Sequence, residues 1–301
     1  MRVPDLAVIE NGAAIVPEDI ALEIYRRICR TRTFEEGLIK AVKDGFVTSP
    51  VYLSSGQESI AAALSVAVPG PVIFAQHRCH GVYLSYGGDP VKLRDELMGL
   101  PTGTSGGRAG SNCIQCHENG VVMHGHHGLI GENVPIAVGY ALASKKSTLA
   151  IFGDGAAEED YVLSSLGFAA THRLPVLFVC EDNNLSILTA VETRRSWKVS
   201  KVAAAFGMEA VDLSDDPWTI FLKAKELVKK TPALMNIHTC RANWHVGIGT
   251  DGPVEWDRFL DVRNALKGAG LWDKAQKIEE AERFCMEKVW EQGQLRRLSG
   301  K

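Results

Sequence analysis

At 301 residues, 46% apolar and 23% charged, the chain is one large or two small domains with ample material for a core. A formal net charge of −3 gives no basic footprint for nucleic acid, and no apolar run is long enough to span a bilayer. Seven scattered cysteines, an odd number, form no evident disulfide framework. With an N-terminus that lacks the apolar core of a signal peptide, they lead to the expectation of a cytoplasmic setting.

Residues 1–16 read as an arm. Pro17-Glu18-Asp19 opens a helix through about Asp44, with Ile20, Ile24, Ile28 and Leu38 on its apolar side. Its Arg26, Arg27, Arg30, Arg32, Glu35 and Glu36 are expected on a solvated or subunit-facing surface. A small apolar helix follows at Ser59–Val68, where Ser55 and Glu58 have the spacing of a capping box. Val72–Ala75 reads as a strand ending in Gln76-His77-Arg78-Cys79-His80. Pro101–Asn119, rich in Gly, Ser and Thr, reads as a functional or mobile loop. His124, Gly125, His126, His127, Gly128, Leu129, Ile130 and Gly131 lead into a helix of small residues at Pro135–Ser144.

Leu149–Leu188 organises the chain. The apolar run Leu149–Phe152 stops at Gly153-Asp154-Gly155, and Ala156–Arg173 has helical spacing. Tyr161, Leu163, Leu166, Phe168 and Ala169 would make its apolar stripe, with Glu158, Glu159 and Asp160 in the first turn. Pro175 stops the helix, and Val176–Cys180 is a second apolar strand, the pattern of a parallel crossover. Both strands then end on one edge of the sheet, where α/β folds bind ligands. Asp154 lies at the first tip and Asn183 at the second. A carboxylate, an amide oxygen and a carbonyl are hard donors suited to Mg²⁺ or Ca²⁺, and Mg²⁺ usually completes its shell with phosphates and water. Gly153, Gly155 and the free N–H groups from Ala156 onward suit a phosphate. These residues imply a diphosphate held through a divalent metal.

Beyond this, a short helix is expected at Lys201–Gly207, a strand at Met208–Leu213, a helix at Pro217–Lys230 and a last buried strand at Ala233–His238. Thr239-Cys240-Arg241-Ala242-Asn243-Trp244-His245 follows that strand, and residues 256–301 read as helices. Three segments result: the arm 1–16, an α/β domain 17–255 and a helical segment 256–301.

Gly153-Asp154-Gly155 followed, after a helix and a strand, by Asn183-Asn184 resembles the thiamine-diphosphate signature. About residues 20–290 are similar to the α subunit of the E1 component of 2-oxo-acid dehydrogenase complexes. The likeness implies a thiamine-diphosphate-binding fold, mainly a parallel sheet with helices on both faces. Asp154, Asn183 and the Leu185 carbonyl would hold Mg²⁺. Arg78, matching a Tyr-Arg-x-His element, and Arg241, matching Thr-Tyr-Arg, would hold the diphosphate. Gly128 and Ile130 take positions that touch the pyrimidine. His80, His127 and His245 are the candidate catalytic groups; an imidazole suits proton transfer or a hydrogen bond to a developing oxyanion. Each has an ordinary alternative: helix cap for His80, structural hydrogen bonding for His127, packing for His245, a salt bridge for Arg78.

The chain also departs from the family's pattern. His77 replaces a Tyr. Gly107-Arg108-Ala109-Gly110-Ser111 matches a Gly-rich element, but Asn112-Cys113 stand where Met-His would follow. Trp244, Val246 and Ile248 make the loop around His245 more apolar than usual. Cys113-x-x-Cys116-His117 is, as a string, a c-type haem site, which the enzyme-like context argues against; zinc with His117, His124, His126 or His127 is a weaker alternative to free loop thiols.

In this class a Glu against the aminopyrimidine comes from a pyrimidine-binding domain. The resemblance therefore implies a separate β subunit in an α2β2 assembly, a 2-oxo acid or ketone substrate, and a lipoyl acyltransferase as a further partner. The alternatives are a transketolase-like carboligase giving a two-carbon unit to an aldehyde, and a non-catalytic regulatory homologue.

Overall fold

The computed structural model describes residues 9–10, 13–14, 16–126 and 128–298. Of the expected arm, only β1 (Ile9–Glu10), its antiparallel partner β2 (Ala13–Ala14) and the buried Val16 are described; its other residues lie outside the described ones. The main body then runs α1 (Glu18–Lys43), α2 (Glu58–Ala67), β3 (Val72–Phe74), α3 (His80–Ser85) and α4 (Pro90–Leu97). The hairpin β4 (Cys116–Glu118) and β5 (Val121–His124) leads to α5 (Asn133–Ser144), β6 (Thr148–Gly153), α6 (Asp160–His172) and β7 (Val176–Asp182). A small hairpin, β8 (Leu185–Ser186) with β9 (Thr189–Ala190), and one turn of helix, α7 (Val191–Arg194), precede α8 (Val199–Ala205) and β10 (Glu209–Ser214). The chain closes with α9 (Pro217–Leu227), β11 (Ala233–His238), α10 (Arg258–Gly268) and α11 (Trp272–Leu298).

Seven strands form one sheet in the order β10-β11-β7-β6-β3-β5-β4, parallel throughout except for the β5–β4 hairpin. A parallel sheet must be covered on both faces, so its central strands are continuous apolar runs. Alternation sorts their side chains. Leu149, Ile151, Leu177 and Val179 face one core with α1, α2, α9 and α11, while Ala150, Phe152, Phe178 and Cys180 face the other with α5, α6 and α8. The fold is the expected α/β arrangement. No helix among the described residues is long and apolar enough to cross a membrane.

Several local expectations change. Only part of the charge of α1 lies on a solvated face: Glu36 pairs with Arg283 at 2.9 Å there, while Arg30 pairs with buried Glu282 at 2.9 Å and Arg32 with buried Glu58. Trp290 Nε1 donates to the Phe34 carbonyl at 2.9 Å, so α11 is docked on α1 over a shared core. No Ser55–Glu58 capping box forms. Glu58 is buried against Arg32 and accepts the Gly56 N–H at 2.8 Å, while the Ser55 hydroxyl donates to Glu35 at 2.6 Å. Residues 156–158 form a 3-10 turn before α6, whose buried side is Val162, Ser165, Leu166 and Ala169; Phe168 is exposed. Loop 101–115 is pinned by buried Glu96, whose carboxylate accepts the N–H groups of Ser105, Gly107 and Ala109 at 2.7–2.9 Å.

Candidate active site

The C-terminal tips of β3, β6, β7 and β11 meet at a cleft of about 180 Å³. Its lining includes Gln76, His77, Arg78, Gly153, Asp154, Gly155 and Ala156. Asn183, Leu185, Arg241 and His245 complete that edge. Register explains the convergence of the first two tips. Gly153 pairs with Glu181 across β6 and β7, so the next residues of both strands leave the sheet side by side. Asn183 is then held in a set orientation: its Nδ2 donates to Gln57 Oε1 at 3.0 Å and its Oδ1 accepts the Leu185 N–H at 3.1 Å. Asn184 adopts positive φ, +64°, which turns the chain back so that Leu185 faces the cleft.

Arg241 reaches the cleft because two loops lie against each other. Gly56 has φ +95°, and a Cβ there would stand 2.3 Å from the Cys240 carbonyl oxygen. The Ala242 N–H bonds the Ser55 carbonyl at 2.8 Å beside it. At Gly155 a Cβ would meet Ser186 Oγ at 2.7 Å, so the turn after β6 and the β8–β9 hairpin lie in close contact there.

The electrostatics favour added charge of both signs. Burial, with Asp182 nearby, pushes Asp154 up to about 6 against the pull of Arg194. Burial pushes Glu181 up to about 7, although Gln76 donates to it. On the opposite side, burial and neighbouring Arg241 bring Arg78 down to about 10. Arg78 Nη1 donates to the Leu53 carbonyl at 2.6 Å. Arg241 donates through Nε to Asp251 at 2.6 Å and through Nη2 to the Ile187 carbonyl at 2.6 Å, while its buried Nη1 has no partner. Burial and the two guanidiniums also hold His245 below its ordinary value and His77 well below it.

The sequence-derived candidates separate. Arg78, Ile130, Gly153, Asp154, Gly155, Ala156, Asn183, Leu185, Arg241 and His245 line the cleft. Gly128 sits outside that lining on an exposed turn, and Gly131 touches the cleft instead. His127 lies outside the described residues. His80 lies apart from these: it is fully buried, its Nδ1 3.1 Å from Glu35 Oε1 and its Nε2 2.9 Å from Ser111 Oγ. Both ring nitrogens are spent, and it does not line the cleft. Cys113 is also absent from that lining. Among the described residues no three His, Cys, Asp or Glu side chains are gathered as a structural metal would need, and His117 packs edge-on to His124 at 4.8 Å.

A family model described as "Dehydrogenase E1 component" matches residues 25–254. The chain belongs to that family. Among curated relatives of this E1 chain, the pyruvate dehydrogenase E1 component subunit alpha of Zymomonas mobilis is 34% identical, over 63% of this chain and 55% of its own length. The alpha subunit of the acetoin:2,6-dichlorophenolindophenol oxidoreductase of Cupriavidus necator is 29% identical, over 78% and 74%. The E1 chain spans about half the length of the pyruvate dehydrogenase relatives it matches. A transketolase mutant from Pichia stipitis has the same fold, with TM-score 0.54 at 15% identity, covering 94% of this chain and 49% of that one.

The family's cofactor is thiamine diphosphate with Mg²⁺, and the residues present fit it. An orphaned N–H on buried Arg241 and the strained charge of Arg78 suit a diphosphate, and Asp154 with the Asn183 and Leu185 oxygens suits a hard cation. The E1 site also contains groups that the sequence did not assign to it. Gln57 orients Asn183 from the start of α2. His77 and His126 line the cleft beside His245, with His77 ring centres 5.4 Å from His245 and 6.0 Å from His126. His77 Nε2 is buried without a partner. Arg194 and Arg195 reach Asp154 from the β8–β9 side; no motif marked them.

Proposed function

We propose that this chain is the diphosphate-binding α subunit of a thiamine-diphosphate enzyme that cleaves or decarboxylates a 2-oxo acid or related ketone and passes on the acyl or two-carbon unit. The observation that carries the reading is the meeting of Asp154 and Asn183 at adjacent strand tips, facing two buried guanidiniums with an unused N–H. Asp154, the Asn183 amide oxygen and the Leu185 carbonyl would hold Mg²⁺. Arg78, Arg241 and the backbone from Gly153 to Ala156 would hold the diphosphate, and Ile130 would border the pyrimidine. When bound, the cofactor supplies an electron sink for breaking a bond next to a carbonyl. His245 and His77, kept neutral by burial and the guanidiniums, can each hold a proton or a substrate hydrogen bond at a ring nitrogen, His77 through its free Nε2. By family resemblance His127 joins this set.

The cleft supports a partnered site. Ile130, which lines it, is 40% exposed, so the pyrimidine side is open to a second chain. We assign the missing wall to a β chain carrying the pyrimidine-binding domain and its Glu, in an α2β2 assembly placed in the cytoplasm. A lipoyl acyltransferase would take the acyl group. The altered loop favours keeping a second reading: Trp244 and Val246 are exposed beside His245. An apolar rim of that kind also suits an aldehyde acceptor, as in a carboligase.

Calorimetry of thiamine diphosphate and Mg²⁺ binding to the αβ assembly tests the proposal. Asp154→Ala should abolish Mg²⁺-dependent binding, and unchanged affinity would remove the site. Product analysis with pyruvate plus a lipoyl domain, against pyruvate plus an aldehyde, separates the two acceptors.

A further inference from the structure

The β8–β9 hairpin and α7 carry two groups with opposed interests. Leu185, at the start of the hairpin, lines the cleft, while Arg194, at the end of α7, brings its positive charge onto Asp154 in the same lining. Arg194 Nη2 ion-pairs with Asp154 Oδ2, Nη1 lies 2.5 Å from Glu158 Oε1, and Nε donates to the Thr189 carbonyl at 3.1 Å. Arg195 braces the arrangement, donating from Nη1 to the Asp154 carbonyl at 2.6 Å and to Glu158 Oε1 at 2.7 Å. The pair is sheltered: the side chains of Arg194 and Asp154 are 12% and 3% exposed.

A hard divalent cation takes a carboxylate oxygen at roughly 2.0–2.1 Å. Bound to either oxygen of Asp154, it would lie within a few ångströms of the Arg194 guanidinium on Oδ2, and at such range in a poorly hydrated site like charges repel strongly. We propose that Arg194 is the resident counter-ion of Asp154 and competes with the divalent cation for it, so that loading the site is an exchange of cations. The inference rests on reading Asp154 as the cation's anchor. Glu158 makes the exchange economical. It already holds Nη1, so a guanidinium displaced from Asp154 pivots onto a second carboxylate and stays paired. The turn geometry keeps it close: Asn184 and Ile187 both adopt positive φ, +64° and +55°, and fold the hairpin tightly over Gly155.

The test uses the full-length chain and Mn²⁺ alone, with bound ion read from the loss of the free-ion paramagnetic resonance signal. R194Q should bind Mn²⁺ on the order of tenfold more tightly than the natural chain, R194K should stay near the natural value, and D154N should bind in neither background. If D154N abolishes binding but R194Q binds equally or more weakly, the competition is wrong and the anchor stands. If D154N binds Mn²⁺ as well as the natural chain, the anchor itself is wrong. Should R194Q fail to fold, E158Q replaces it: without the second carboxylate Arg194 stays on Asp154 and Mn²⁺ binding weakens, whereas unchanged binding overturns the exchange.

Discussion

Gln57 and Asn183 are joined by one hydrogen bond, Nδ2 to Oε1 at 3.0 Å, across the gap between the start of α2 and the tip of β7. That bond fixes which way the Asn183 amide points and leaves Oδ1 on the Leu185 side. Groups that orient a metal ligand typically matter by roughly 10- to 100-fold in affinity. Gln57→Leu, which removes the acceptor, should therefore weaken Mg²⁺-dependent cofactor binding by about tenfold or more. Titration calorimetry on the assembly reads it directly, and an unchanged constant would mean the amide is oriented by something else.

Gly56→Ala attacks the site from the backbone. The new Cβ would face the Cys240 oxygen at 2.3 Å and the Ala242 nitrogen at 2.7 Å, at a φ of +95°. The expected cost is about 1–3 kcal/mol, with a parallel loss of inorganic pyrophosphate affinity as Arg241 is pushed out of line. Thermal unfolding and a pyrophosphate titration would show both; a stable variant with unaltered affinity would refute the role given to this close approach.

His80 should behave as structure. Replacing it with Phe takes one partner each from buried Glu35, which keeps the Ser54 N–H and the Ser55 hydroxyl, and buried Ser111, which keeps the Tyr52 N–H, at a cost of about 1 kcal/mol. The midpoint of unfolding should fall while turnover per folded assembly is retained. A variant that stays folded but loses turnover would return His80 to the catalytic list.

His238 gives the fold a pH dependence. Its Nδ1 is 3.3 Å from Asp182 and its Nε2 3.7 Å from Asp212, and these carboxylates, Asp212 foremost, raise its proton affinity above the ordinary imidazole value. The folded state thus favours the charged ring. The stabilisation is complete below the unfolded value near 6.5 and disappears as pH rises through the higher folded value. Asp212, held well below its usual range because nearby His238 and hydrogen bonds from Ser200 and Asn236 overcome burial, contributes above about 3.8 and loses that contribution in acid. Thermal midpoints of the natural chain should decline from pH 6 toward 8 more than those of His238→Gln. Because the ring is 41% exposed, the difference should be small and should shrink with salt.

The strands were legible because each central one must be apolar on both faces, and the tips were legible because Gly153-Asp154-Gly155 and Asn183 follow such runs directly. What local sequence misjudged was phase and partnership. A 3-10 turn at 156–158 delays α6, and the sheet, not the best local stripe, decides that Val162 rather than Phe168 is buried. Glu58 has capping spacing, yet Arg32, far away in sequence, claims it because a buried carboxylate gains more from a guanidinium than from a helix end.

The amino-acid order alone settled the α/β class, the edge of the sheet that carries the chemistry and the acidic and amide groups placed there, since these follow from runs, breakers and short spacings. Only the tertiary structure decided that Gln57 aims Asn183, that His80 is walled in, and that Arg194 sits on Asp154. Each of these is a contact between residues distant in the chain, made because a buried polar group must find a partner wherever folding brings one.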